Sequence, residues 1–394
     1  MCGEEKYDIL YFIDRTEADA KKTDGCKKGW SAVNGEKIRF AVIGAGWRSQ
    51  FYLSVARQMP ERFEVTGVLL RSVEKAQRFA QQFGVKTFVQ LDELLQTSPA
   101  FVVVSLPRTV TPQYLDLLMK AGVPVLCETP PAWSVEELTK LWNTARQHHA
   151  KIQVAEQYFA RPMIAAQLKA VEMGLLGNVS FVEQSVCHGY HGINLIRRFL
   201  GTGFESCEVS ARRFLIPVTK TCTRDGDIEP QQRTVEPVKR DLCVFSFAGG
   251  KTGIYDFSSE QYRSFIRHNR IQVLGDRGEI VDDQVYWLSA SGVPASGELT
   301  RMDHGVRYNI DGFCNRSVML GEYELYRNPF MPARLGDDEI AVAYCMENMG
   351  RYVWGEAEPV YPLREALQDT YLAICMGKAL ESGEKVQAEK QAWA

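Results

Sequence analysis

The run Ile38-Arg39-Phe40-Ala41-Val42-Ile43 leads straight into Gly44-Ala45-Gly46-Trp47-Arg48-Ser49, and a helical pattern follows through Phe51, Leu53, Val55 and Ala56. No other stretch restricts the fold as much. A short apolar run of this kind suits a strand buried on both faces of a parallel sheet. Strand, glycine turn and helix together form the context a dinucleotide fingerprint needs. Gly44 permits the tight turn, and Gly46 leaves room for a pyrophosphate to reach the backbone. The amides at the helix start then face the phosphates. Ser49 takes the third position, where glycine or alanine is usual. It is small enough for close packing of helix on strand.

The following sequence repeats the alternation. Strands are expected at Glu64 to Leu70, Phe101 to Ser105, Pro124 to Cys127 and Ile152 to Ala155. Helices are expected at Val73 to Phe83, at Pro112 to Ala121 and after Ser134. Ser134-Val135-Glu136-Glu137 has the capping-box form. This pattern predicts a doubly wound parallel sheet with its ligand at the carboxyl ends of the strands. Residues 38–156 form that Rossmann domain in this reading. Residues 1–37 are an N-terminal extension, with Tyr7 to Ile13 as a short strand and Lys21 to Gly29 as a polar loop. Residues 157–394 form a second α/β domain. The early charges Glu4, Glu5, Lys6 and Asp8 argue against a secretory signal.

The end of the second strand bears on cofactor choice. An NAD site usually places an acid there for the ribose hydroxyls. Here the chain reads Leu69-Leu70-Arg71-Ser72. Arg71 would attract a 2′-phosphate that a carboxylate would repel, so NADP(H) is expected over NAD(H).

The net charge of −3 offers no basic excess for nucleic acid or a membrane surface. No apolar run approaches the roughly 18 residues of a membrane span. The ten cysteines include no Cys-x-x-Cys pair and no zinc-type cluster with histidine. Reduced thiols, a cytoplasmic location and no metal are therefore expected.

The glycine turn, the strand end Ser105-Leu106-Pro107 and the run Val125-Leu126-Cys127-Glu128-Thr129-Pro130 resemble the Gfo/Idh/MocA oxidoreductases, relatives of glucose–fructose oxidoreductase and inositol dehydrogenase. The resemblance extends through Leu175-Leu176-Gly177-Asn178-Val179, through the segment from Gly189 to Gly201, and through Gly249 to Gly253 with Val273 to Ile280. It implies a Rossmann domain followed by a domain with an open, mixed and mainly antiparallel sheet. That sheet would carry the substrate on one face and join copies into a homodimer or homotetramer. It also implies hydride exchange between a nicotinamide and a small carbohydrate. By carry-over, Glu128, Thr129, Gln157, Ser105, Leu106 and Pro107 attend the cofactor. Arg108, Trp47 and Arg48 are expected near it.

The chain departs from that family in two places. Thr129 replaces the lysine of Glu-Lys-Pro, and Cys187 replaces the aspartate of Asp-x-Gly-x-His. The titratable cation beside the reacting hydroxyl is lost. His191 becomes the best general base, since imidazole suits proton transfer near neutral pH. Tyr158 is an auxiliary, with Tyr190 and His188 ranked behind it. On a strand His188 and Tyr190 would share a face, a rule that lapses in a turn. Cys187 reads as a buried inert thiol. The missing lysine keeps a second activity open: a glycosidase that uses bound NAD for transient oxidation, elimination and re-reduction. A regulator without redox chemistry is a third. The polar segment from Thr219 to Lys239 reads as a surface insertion, ahead of a lid or a subunit contact. Arg263, Arg267, His268 and Arg270 read equally as a site for an anion or a solvated edge. Helices are expected near Asp338 to Trp354 and Leu363 to Glu381.

Overall fold

The computed structural model describes residues 37–394. The strand expected at Tyr7 to Ile13 and the loop after it lie outside those residues. The first sheet contains β1 (Ile38–Ile43), β2 (Phe63–Leu69), β3 (Thr87–Phe88), β4 (Phe101–Val104), β5 (Val125–Cys127) and β6 (Ile152–Val154). Its order is β3-β2-β1-β4-β5-β6, and every pairing is parallel. The crossovers carry α1 (Ser49–Gln58), α2 (Val73–Phe83), α3 (Leu91–Leu95), α4 (Thr111–Lys120) and α5 (Val135–Gln147). Phe101 to Val104 are all buried, as expected for a strand covered on both faces. The Ser134 capping box forms at the head of α5.

After α6 (Pro162–Glu172) the chain builds a second sheet from β7 (Val179–Gln184), β8 (Cys207–Thr219), β9 (Val235–Phe247), β10 (Thr252–Ser258), β11 (Ile271–Gly275), β12 (Gly278–Val281), β13 (Gln284–Leu288), β14 (Pro294–Gly305), β15 (Phe313–Leu320), β16 (Tyr323–Arg327) and β17 (Val386–Ala388). These strands run in the order β16-β15-β14-β13-β12-β11-β7-β10-β9-β8-β17. β7 and β10 pair in parallel; the other pairings of this sheet are antiparallel. α7 (Gly189–Leu200) and α9 (Leu363–Ser382) pack on it.

α8 (Asp337–Val353) returns to the first sheet. Its Ile340, Met346 and Met349 join Phe40, Val42 and Phe101 in one buried cluster. A Cβ on Gly350 would come within 2.7 Å of Ile38, so glycine allows this close helix–strand contact. The start of α8 is thereby carried to the carboxyl edge of the first sheet.

The segment from Thr219 to Lys239 is strand only at its ends: β8 and β9 pair from Cys207↔Phe247 out to Thr219↔Val235, and residues 220–234 connect them. Along the middle of β8 both faces are exposed, so the sequence shows no buried-exposed alternation to mark the strand. No helix among the described residues is long and apolar enough to cross a membrane, and the eight cysteines among them are all unpaired.

Candidate active site

A cavity of about 1300 Å³ opens where the carboxyl ends of the first sheet face the second domain. Its cofactor end begins at the glycine turn. Gly44 has φ +117°, and a Cβ there would sit 2.0 Å from the Ser105 carbonyl oxygen. A side chain at Gly44 would push β4 away from β1. A Cβ on Gly46 would meet nothing within 4 Å, so the backbone there is open to a ligand. Three buried polar atoms near the turn lack a protein partner: the Ser49 hydroxyl, one Arg48 nitrogen and the Gln157 side-chain oxygen. Buried polar groups are seldom left unpaired without cause. A helix N-terminus, an open glycine and these unmet polar atoms fit a dinucleotide.

Arg48, Trp47, Arg71, Ser105, Leu106, Pro107, Glu128, Thr129, Gln157, Tyr158, His188, Tyr190 and His191 all line the cavity. Ser72 and Arg108 do not. Ser72 is the N-cap of α2, its hydroxyl accepting from the Lys75 amide. A cap is bound into its own helix start. Arg108 lies with its guanidinium 4.9 Å from the Trp133 ring, a cation–π contact that draws it away from the cavity. In their place Lys75 and Arg78 line the wall beside Arg71. They lie one and two turns into α2, and the turn-by-turn reading of the strand end did not reach them.

Glu128 is held on three sides. Arg48 donates to it at 2.8 Å, Tyr52 at 2.5 Å and the Thr129 amide at 3.3 Å. The next layer belongs to α7. His188 is its N-cap, and Tyr190 and His191 occupy its first turn. The strand rule for His188 and Tyr190 therefore does not apply, and all three reach the same cavity. The Tyr190 hydroxyl donates to the Thr129 carbonyl at 3.3 Å.

His191 Nδ1 lies 2.5 Å from Glu156 Oε2, and Glu156 is fully buried. Burial pushes the Glu156 carboxyl up, but His191 and the Tyr158 amide outweigh it and hold it below the usual range. An ionised Glu156 accepts from Nδ1. Glu156 was missing from the sequence-based candidates. An acid directly after a buried strand end, two residues before Tyr158, was the available signal.

A second chain of hydrogen bonds runs alongside. The Tyr262 hydroxyl, beside that of Tyr158, accepts from the His188 amide at 3.0 Å and meets His188 Nδ1. Burial pushes the Tyr158 hydroxyl well up and that of Tyr262 up to about 12. His188 is pushed down to about 4, by burial first and by His191 second; its exposed side faces the cavity. Arg161 lies 4.1 Å from the Tyr158 ring and pairs with Asp338 of α8 at 2.6 Å. Neither partner was visible in the sequence, because 177 residues separate them. Cys187 is wholly buried, and burial raises its thiol well above the ordinary range. Such a thiol is a poor nucleophile at neutral pH.

Of the basic run after β10, Arg263 lines the cavity. Arg270 pairs with Asp256 at 3.1 Å, and Arg267 bonds the neighbouring Ile266 carbonyl. The ribbon tip between β8 and β9 also reaches the cavity through Arg224, whose guanidinium sits 5.0 Å from the Trp47 ring. Among the described residues, no group of three His, Cys, Asp or Glu side chains is placed to hold a metal.

Residues 38–156 match the model of an oxidoreductase family with an NAD-binding Rossmann fold, named for Gfo, Idh and MocA. An uncharacterised oxidoreductase of Escherichia coli is 30% identical over 113 residues, covering 28% of this chain and 34% of its own. The scyllo-inositol 2-dehydrogenase (NADP(+)) of Bacillus subtilis is 27% identical over 178 residues, covering 44% and 47%. The matched part thus spans between a third and a half of these relatives. A crystal structure of a putative myo-inositol dehydrogenase from Sinorhizobium meliloti superposes with TM-score 0.60 at 17% identity, over 90% of this chain and all of that one. That likeness extends the shared fold through the second sheet.

Proposed function

For a chain that belongs, through residues 38–156, to the Gfo/Idh/MocA oxidoreductase family, we propose an NAD(P)-dependent oxidoreductase that acts on a sugar or sugar-derived hydroxyl or ketone. The observation that carries this reading is the buried Glu156–His191 pair at the nicotinamide end of a dinucleotide cavity. Bound nicotinamide supplies the hydride acceptor or donor. The protein's part is the proton. Glu156 fixes the imidazole through Nδ1 and stabilises the imidazolium that forms when Nε2 takes the hydroxyl proton. In the ketone direction His191 returns that proton. Tyr158 lies beside Tyr262, whose hydroxyl meets His188 Nδ1, which supports an orienting role over a titrating one, since its hydroxyl is pushed far above neutral pH.

This arrangement also accounts for Thr129. The family lysine would supply a titratable group beside the substrate. Here His191 backed by Glu156 meets that need, and Thr129 offers its carbonyl to Tyr190. The relatives compared are dehydrogenases and oxidoreductases, so the glycosidase alternative gains no support from them.

NADP(H) is the favoured cofactor. Arg71, Lys75 and Arg78 line the cavity where the second strand ends, with no acid among the lining residues there. Arg71→Ala should weaken NADP(H) binding by about 10- to 100-fold, the worth of one charge-assisted hydrogen bond, and barely change NAD(H). Fluorescence titration of both cofactors tests this, and equal losses would reject the preference. The activity is tested by following nicotinamide absorbance across a sugar and polyol panel. A change stoichiometric with substrate is expected. The second sheet exposes Leu242, Tyr286 and Met302, which supports it as the face between copies.

A further inference from the structure

The positive charge lining the cavity is not evenly answered. Arg48 meets Glu128 at 2.8 Å and Arg161 meets Asp338 at 2.6 Å. Arg78 carries Glu74 at 2.8 Å. Arg71 and Lys75 stand where a 2′-phosphate would lie. Arg224 and Arg263 line the same cavity, yet no carboxylate among the described residues forms an ion pair with either. Asp225, Asp227 and Glu229 share the ribbon tip with Arg224 but do not line the cavity.

These two arginines come from separate segments that are fastened together. The Cys222 thiol donates to the Arg263 carbonyl at 3.0 Å, and the Phe265 amide donates to the Thr221 hydroxyl at 3.0 Å. Lys220 forms an ion pair with Glu260. Arg224 is further placed by its stacking on Trp47. Their backbones are therefore positioned before a ligand arrives, which lowers the ordering cost of binding. Two exposed, unanswered guanidinium groups lining one cavity raise the local potential for an anion. Planar guanidinium groups suit the oxygens of a carboxylate or phosphate. Tyr262, His188 and Asn269 also line the cavity, and Tyr262, next to Arg263 in the chain, accepts from the His188 amide.

We propose that Arg224 and Arg263 form an anion subsite at the substrate end of the cavity, so that the substrate is a sugar or polyol bearing a phosphate or carboxylate group. This rests on the oxidoreductase reading, because it uses the same cavity.

The test uses the full chain loaded with NADPH. Inorganic phosphate is titrated against chloride at matched ionic strength, and glucose 6-phosphate and glucuronate are titrated against glucose. Thermal shift and calorimetry report binding. Phosphate should stabilise the wild type beyond chloride, and at least one anionic sugar should bind about tenfold more tightly than glucose. Which sugar does so distinguishes phosphate from carboxylate. Arg224→Gln and Arg263→Gln should each weaken that binding about tenfold and leave NADPH affinity unchanged. The proposal is overturned if phosphate matches chloride and neither anionic sugar exceeds glucose. It is equally overturned if the variants lose NADPH affinity, since the arginines would then serve the cofactor. Arginine-dependent anion binding without any absorbance change across the sugar panel keeps the subsite and removes the redox reading. Turnover of neutral sugars, unaffected in both variants, does the reverse.

Discussion

The two ends of α7 each meet a buried acid, and they use it differently. In the first turn, His191 meets Glu156, and its other nitrogen is left for the cavity it lines. Near the last turn, Arg197 and Asn194 meet Asp369, at 2.5 and 2.8 Å, and Tyr361 adds a hydroxyl at 2.5 Å. Arg197 completes its set on Glu365 and the Gly203 carbonyl. None of these latter residues lines the cavity. A buried charge alone therefore does not mark a catalytic site. What separates the two ends is an unspent heteroatom beside an empty volume at one and full mutual satisfaction at the other.

The largest effect should come from the satisfied end. Arg197→Met leaves Asp369 buried without its cation, which costs about 3–5 kcal/mol. Denaturant unfolding should show that loss, while turnover per folded molecule stays within about twofold of the wild type. A specific loss of turnover would merge the two ends into one functional unit. His191→Ala should differ in turnover per folded molecule, which should fall roughly 10²–10⁴-fold, as for a general acid–base, beyond the stability lost by leaving the buried Glu156 without its partner. An unaltered rate would remove His191 from the chemistry.

Why one end was legible in the sequence and the other was not follows from the same contrast. His191 stands in a recognisable run from Gly189 to Gly201, so its position could be carried over. Glu156 could not be paired with it from sequence, because 35 residues and a domain crossing separate them. Asp369 lies 172 residues from Arg197. The β1–glycine–α1 unit was readable because its signals are local: an apolar run, a positive-φ glycine and a 3.6-residue period. The Ser134 capping box was readable for the same reason. β3 has two residues and α3 five, too few to express any period. The ribbon of β8 and β9 escaped because hydrophobic patterning records burial, and its middle is not buried.

Glu156→Gln sits between the two large effects. The amide keeps the shape but loses the charge that stabilises an imidazolium. Losing such a supporting carboxylate typically costs about 10–100-fold in activity, so kcat should fall by less than in His191→Ala. The two substitutions should not multiply in the double variant, since both act through one proton acceptor. Multiplicative losses would mean that Glu156 and His191 serve separate steps.

The smallest effect is in pH-dependent stability, and it sharpens the comparison by sign. Burial alone would raise Glu156, but His191 and the Tyr158 amide hold it below its ordinary value near 4.5. Between the folded and unfolded values the unfolded chain binds more protons, so stability falls as pH falls through that window. The contribution is fully present above the unfolded value and disappears below the folded one. Glu347 of α8 behaves oppositely. Burial raises it to about 7, only partly countered by Arg62, whose guanidinium lies 3.9 Å away. There the folded chain holds a proton between about 4.5 and 7 that the unfolded chain has released, so stability falls as pH rises through that range. Chemical denaturation at pH 4, 6 and 8 should resolve both. Glu156→Gln should lose its deficit against the wild type on the acid side, whereas Glu347→Gln should match the wild type there and exceed it at pH 8. If the Glu156 deficit stays constant down to pH 4, that carboxyl gains no net stabilisation from His191.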